Sequence, residues 1–177
     1  MWIGQERPQV FAYELTGKEL WNNTNLNATQ HDMSPLKIIK AGQGQCGTWA
    51  KQLIVGWSDG LIESLEPMTG LRNWHYQSEV NVWGITGSLA QDEDKLVAPT
   101  RTGIVSLCLA DGTLIQNTTT DLGWRNGVTV TDTGYLVGDE NGTLWNLSRE
   151  GNLTSYPLAI GKIRHPPLLT DGGIVIH

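Results

Sequence analysis

Glycine-closed turns recur along this chain at a spacing that few folds accommodate. Three stretches align without gaps in their logic: Leu53-Ile-Val-Gly-Trp-Ser-Asp-Gly60 followed by Leu61–Leu65, Leu96-Val-Ala-Pro-Thr-Arg-Thr-Gly103 followed by Ile104–Leu107, and Leu136-Val-Gly-Asp-Glu-Asn-Gly142 followed by Thr143–Leu147. Each is an apolar run, a polar turn ending in Gly, and a second apolar run. A further turn follows each, at Gly70, Gly112 and Gly151, and the N-terminal segment has its counterpart at Gly17. Those four glycines lie 53, 42 and 39 residues apart. No window of helical length shows apolar residues at i, i+3, i+4, i+7 free of Gly or Pro, so the periodicity argues for strands. Short strands with about four per ~40-residue period are the signature of β-propeller blades. Each turn glycine is expected at positive φ, which a residue with a Cβ adopts only at a cost of about 1–2 kcal/mol. A single blade cannot bury its apolar surface alone, so blades must stack side by side.

The expected fold is therefore all-β: propeller blades of four antiparallel strands, in about four repeats. Strands are expected at Trp2-Ile3, Val10–Leu15, Leu53–Val55, Leu61–Leu65, Lys95–Val97, Ile104–Leu107, Tyr135–Val137, Thr143–Leu147 and Ile174–Ile176, each burying one face against a neighbour. The repeats span residues 1–177 as one propeller region. The first blade lacks an inner strand, and Pro166–Gly173 with Ile174–Ile176 reads as the opening of a fifth, so the region is expected to be cut mid-blade at both ends. Three arrangements satisfy this: a fragment of a longer product, a half-ring completed by a second copy of itself, or a small ring closed alone. An open half-ring exposes strand edges and apolar faces that favour association.

The segment Phe11-Ala12-Tyr13-Glu14-Leu15-Thr16-Gly17-Lys18-Glu19-Leu20-Trp21 resembles the PQQ-type propeller repeat, and Gly60–Trp74 is a second copy with its Trp again four residues after the Gly. The resemblance implies that Trp21 and Trp74, with Gly17 and Gly70, form interblade wedges; Gln116 and Ser155 stand at the Trp position in the later copies. The repeat occurs in quinoprotein dehydrogenases, an outer-membrane assembly lipoprotein, luminal stress-sensor domains and surface proteins. The resemblance thus implies a fold and leaves function open.

Chemistry is harder to anchor. Quinoprotein enzymes often carry adjacent cysteines, whereas Cys46 and Cys108 are 62 residues apart. Their plain reading is two separate buried thiols, although they could pair in an exported protein. No residue qualifies as catalytic, and no cofactor or metal is expected. The histidines are scattered, and the acidic loops 92–94 and 139–142 lack calcium-loop spacing and read as solvated turns. Gly42–Gly47 matches a dinucleotide-binding string but precedes a strand, so it reads as a flexible interblade connection. A net charge of −6 argues against nucleic acid as a partner. No apolar run is long enough to insert into a membrane, and the first residues show no signal peptide.

Eight Trp against one Phe is unusual. Trp49, Trp83 and Trp124 each precede a second strand by a dozen or so residues, which places them at the start of innermost strands. With Arg125 and with His165 (after Arg164) they form a candidate channel-rim site for a peptide or glycan. Asn22, Asn27, Asn117, Asn141, Asn146 and Asn152 are candidate glycosylation sites. The functional expectation is a non-catalytic extracytoplasmic scaffold, periplasmic or at the cell surface, whose partner is a protein or a second copy of the chain. The alternatives are a fragment of a quinoprotein-like dehydrogenase and a structural cell-surface component.

Overall fold

The computed structural model describes residues 8–28, 32–79, 82, 84–123 and 126–177. Among these the chain is strands and turns without a helix. The expected strand at Trp2-Ile3 lies outside the described residues. The first blade contributes the antiparallel pair β1 (Gln9–Tyr13) and β2 (Glu19–Thr24). The second consists of β3 (Lys37–Ile39), a hairpin β4 (Gly42–Gly44) and β5 (Gly47–Trp49), then β6 (Gln52–Gly56), β7 (Leu61–Leu65) and β8 (Arg72–Gln77). Its sheet runs β3-β6-β7-β8, with the hairpin set apart. The third blade is β9 (Ala90–Asp92), β10 (Lys95–Thr100), β11 (Gly103–Cys108) and β12 (Leu114–Thr119). The fourth is β13 (Val128–Val130), β14 (Gly134–Gly138), β15 (Thr143–Ser148) and β16 (Leu153–Pro157). The pair β17 (Leu168–Thr170) and β18 (Gly173–Val175) follows. This is a partial β-propeller.

The first strands mark the inner side. β9 and β13 approach each other, and just before them Ser88 and Gly127 form a parallel bridge between successive blades. The inner strands are three residues long. Pro99 is tolerated in β10 because β9 pairs only with Lys95–Val97; the missing N–H falls beyond that ladder.

The middle strands bury both faces, not one. In β6, Leu53 and Val55 pack with Val10 and Trp21 of the first blade, while Ile54 joins Leu96, Ala98 and Leu107 of the third. In β10 the parity repeats: Leu96 and Ala98 face back, and Val97 meets Val128, Tyr135 and Val137 of the fourth blade. Two-sided burial of successive residues converts period-2 alternation into continuous apolar runs. Truncating such a position, Leu96→Ala for example, removes contacts worth about 2–5 kcal/mol.

Each junction also has a wedge. The Trp21 indole N–H donates to the Pro67 carbonyl at 3.0 Å, and its ring lies where a Cβ on Gly70 would sit. The Trp74 N–H donates to Leu109 at 3.0 Å, and a Cβ on Gly112 would come within 2.5 Å of the ring. At the third junction Gln116 takes the place of the Trp, with its amide 3.1 Å from the corresponding position on Gly151. Gly17 has the same left-handed backbone, φ 87°, in open space.

Polar pins cross the same junctions. Asn25 donates to Asp59 at 2.9 Å between the first and second blades. Gln52 donates to Leu109 at 3.0 Å between the second and third. The Tyr135 hydroxyl donates to Asp92 at 2.8 Å between the third and fourth, where Arg149 also reaches Asp92 at 3.1 and 3.2 Å. Loop 92–94 is therefore not a solvated turn: Asp92 and Asp94 are buried, and Asp94 accepts the backbone N–H of Cys46 at 2.9 Å.

Two further expectations are corrected in the second blade. Cys46 and Cys108 are not separate thiols; they form a disulfide with Cα atoms 5.9 Å apart. Residues 42–47 are not a flexible connection between blades. They form the β4-β5 hairpin within one blade, which the disulfide fastens to β11 of the next.

Candidate functional site

The lead-in segments to successive inner strands converge on one cavity of about 220 Å³. Asp32 and Met33 come from the approach to β3, Ser88 from that to β9, Asn126 from that to β13, and Arg164 and His165 from that to β17. Glycine makes the convergence possible at two points. A Cβ on Gly87 would fall 1.8 Å from the Asn126 carbonyl oxygen, and one on Gly127 would meet the Pro166 ring at 2.5 Å. Ser88 and Asn126 are tied by a backbone bond, Ser88 N–H to the Asn126 carbonyl at 3.0 Å, and Val128 N–H returns to Ser88 at 3.1 Å. These crossings fix the floor of the cavity in backbone, the least adjustable material available.

Arg164 is positioned from the fourth blade. Its Nε donates to Glu140 at 3.3 Å, and Lys162 pairs with the other oxygen of the same carboxylate at 2.7 Å. Loop 139–142 is thus only partly a solvated turn. Asp139 is buried, accepts the Trp145 indole N–H at 2.8 Å and accepts two N–H groups of its own turn at 2.8 Å, while Glu140 anchors the lead-in to β17.

The structure separates the residues of the expected channel rim. Trp49 is not at the start of an innermost strand. It ends β5, with its ring over Gly42, its N–H on the Lys40 carbonyl at 2.8 Å and its body in the core between the second and third blades. The strand a dozen residues after Trp49, β7, is the third of its sheet and not the second; the second strand β6 starts three residues after Trp49, because the β4-β5 hairpin is inserted between the inner strand β3 and β6 and carries Trp49 at its end. Trp83, Trp124 and Arg125 lie outside the described residues. His165 does precede an inner strand; it is exposed, lines the cavity, and its ring lies 5.0 Å from that of His177. Sequence reasoning missed Asn126 and Ser88, which carry no motif. The only available signal was their register with Arg164-His165, since all precede an inner strand.

Exposed apolar side chains also lie on the first and last strand pairs of the described series. On β1, Val10 and Ala12 point into the second blade, whereas Phe11 and Tyr13 lie exposed on the opposite face with ring centroids 6.3 Å apart. At the other end Leu168, Leu169, Ile174 and Val175 are all exposed on the β17-β18 pair. Among the candidate glycosylation sites, Asn22, Asn27, Asn117, Asn141 and Asn152 are exposed, and Asn146 is half-buried in β15. No group of three or more metal-ligating side chains occurs among the described residues.

With this geometry established, comparison with known proteins bears on the fold. The crystal structure of BamB from Moraxella catarrhalis superposes with a TM-score of 0.56 at 14 % identity, covering 97 % of this chain and 62 % of that one. The chain thus spans about three fifths of that protein's length. At this identity the likeness concerns the propeller fold alone. The computationally designed Ika4 protein matches with a TM-score of 0.49 at 13 % identity, over 85 % of this chain and 79 % of that one. No family model matches the chain, and no curated protein matches it in sequence. No helix among the described residues is long and apolar enough to cross a membrane.

Proposed function

We propose that the chain is a non-catalytic, extracytoplasmic scaffold or binding module of the PQQ-like propeller type that makes protein–protein or glycan contacts. The observation that carries this reading is the pair of uncovered blade faces. Phe11 and Tyr13 at one end, and Leu169, Ile174 and Val175 at the other, have the same chemistry as the faces that interior blades bury against each other. Apolar surface of this kind associates with a complementary apolar surface. The occupant is a protein partner or a second copy of the chain. The Cys46–Cys108 disulfide supports an oxidising compartment, because such bonds persist outside the reducing cytosol. The exposed sequon asparagines are compatible with a surface location.

Light scattering tests the reading. The wild type is expected to show a mass above the 19.5 kDa of one chain, and a variant carrying both Phe11→Asp and Ile174→Asp is expected to return to one chain. A monomeric wild type that also leaves an apolar dye dark would overturn it, since its end faces would then be neither shared nor sticky.

A further inference from the structure

Beside the inner cavity lies a buried polar group the fold does not use. Asn126 is 4 % exposed, and its Nδ2 is buried without an acceptor. Buried side-chain donors are nearly always satisfied, so a native orphan calls for a reason. The residue borders the cavity of about 220 Å³ described above, and a carboxamide turns about its terminal torsion with little resistance. Such a turn exchanges Nδ2 with Oδ1 on a residue that lines the cavity, and this exchange is the route by which the nitrogen would meet an acceptor on a ligand.

We infer that this cavity binds an amide group of a partner polypeptide, with the amide oxygen accepting from Asn126 Nδ2 and its N–H donating to the Asp32 carboxylate. Three features select an amide. The orphan nitrogen can only donate, so the ligand must bring an acceptor. One carboxylate and one guanidinium line the cavity, so a charged ligand group would gain from one of Asp32 and Arg164 and be repelled by the other. An ionised carboxylate has about four lone-pair sites, so Asp32 can accept from the ligand besides keeping its existing partner. Met33 supplies an apolar wall beside the polar groups, as small-ligand sites usually have. The inference rests on the scaffold reading, since it gives that scaffold a side-chain-sized recognition point. The amide can be a backbone peptide group or a Gln or Asn side chain.

Nuclear magnetic resonance on the whole chain separates these outcomes. Four probes are titrated: N-acetylglycine N-methylamide for the backbone amide, propionamide for the side-chain amide, propionate as its charged isostere, and N-acetylglucosamine. Shifts at the Gly87, Ser88 and Asn126 backbone amides are expected for at least one of the first two, at roughly millimolar affinity for ligands of this size. Propionate is expected to bind at least tenfold more weakly than the better amide. Asn126→Leu, which removes the donor and leaves no orphan, is expected to abolish the response. Should that variant fail to fold, the propionamide-to-propionate ratio in the wild type decides alone. Preference for propionate or N-acetylglucosamine, or no shift from any probe up to 100-fold above the millimolar range, would overturn the inference. Light scattering of the same samples keeps the two readings apart. If the chain still associates through its end faces while the amides stay silent, only the cavity assignment fails.

Discussion

Asp92 shows how a single side chain acts at a blade junction. Burial alone would raise its pKa, but hydrogen bonds from Arg149 and Tyr135 outweigh burial and hold the carboxyl below the usual carboxylate range. The same environment pushes the Tyr135 hydroxyl well above its ordinary value, through burial first and then its bond to Asp92, so it remains a donor at any working pH. A carboxylate with a depressed folded pKa binds fewer protons folded than unfolded. Its contribution is complete above the unfolded value of about 3.9 and is lost as pH falls through the lower folded value. Arg149 is about one third exposed, which discounts the pair relative to a fully buried one. Asp92→Asn is therefore expected to cost about 1–3 kcal/mol at pH 7. Urea midpoints should show the gap between variant and wild type narrowing below pH 4. A gap that is flat or widens on acidification would mean that Asp92 works by packing and not by charge. None of this was legible from the sequence. The Asp-Glu-Asp triplet reads as a turn, and the partners Tyr135 and Arg149 lie 43 and 57 residues away.

At the scale of elements the sequence was most readable where glycine and alternation coincide. The β6-β7, β10-β11 and β14-β15 hairpins are where the Gly60, Gly103 and Gly142 turns put them. Positive φ at a hairpin leaves few alternatives to Gly, so the signal survives without tertiary context. The inner strands were obscured because three residues are too few to show a period. The β4-β5 hairpin was hidden because Gly42, Gly44 and Gly47 suggest mobility, whereas its order comes from outside it: Asp94 against Gly44, Trp49 over Gly42, and the disulfide to β11. That hairpin makes a sharp case for an element held by its neighbour. Replacing both cysteines by serine opens a loop of 62 residues and is expected to cost about 4 kcal/mol. Hydrogen exchange of the variant under native conditions should show selective loss of protection at 43–48 with β6 and β7 unchanged. Equal loss across the second blade would mean that the bridge supports the whole sheet and not the hairpin.

For the molecule as a whole, each of the three buried core clusters joins two successive blades, so stability is close to a sum of junctions. The third blade sits between two filled junctions, and β11 is buried along its entire length. The β17-β18 pair is exposed at every position. Local opening free energies follow buried apolar contact. In dilute protein, amide exchange is therefore expected to be slowest at Leu96–Ala98 and Ile104–Leu107, and ~100-fold or more faster at Leu169 and Ile174. Concentration makes the experiment decisive for the scaffold reading as well. A second copy seated on the last blade would bury its backbone and slow exchange in β17-β18 as protein concentration rises, with β10 and β11 unaffected because they are already closed. Slow exchange in β17-β18 at all concentrations would contradict the series picture, since an end blade with no covered face has nothing to hold its amides shut.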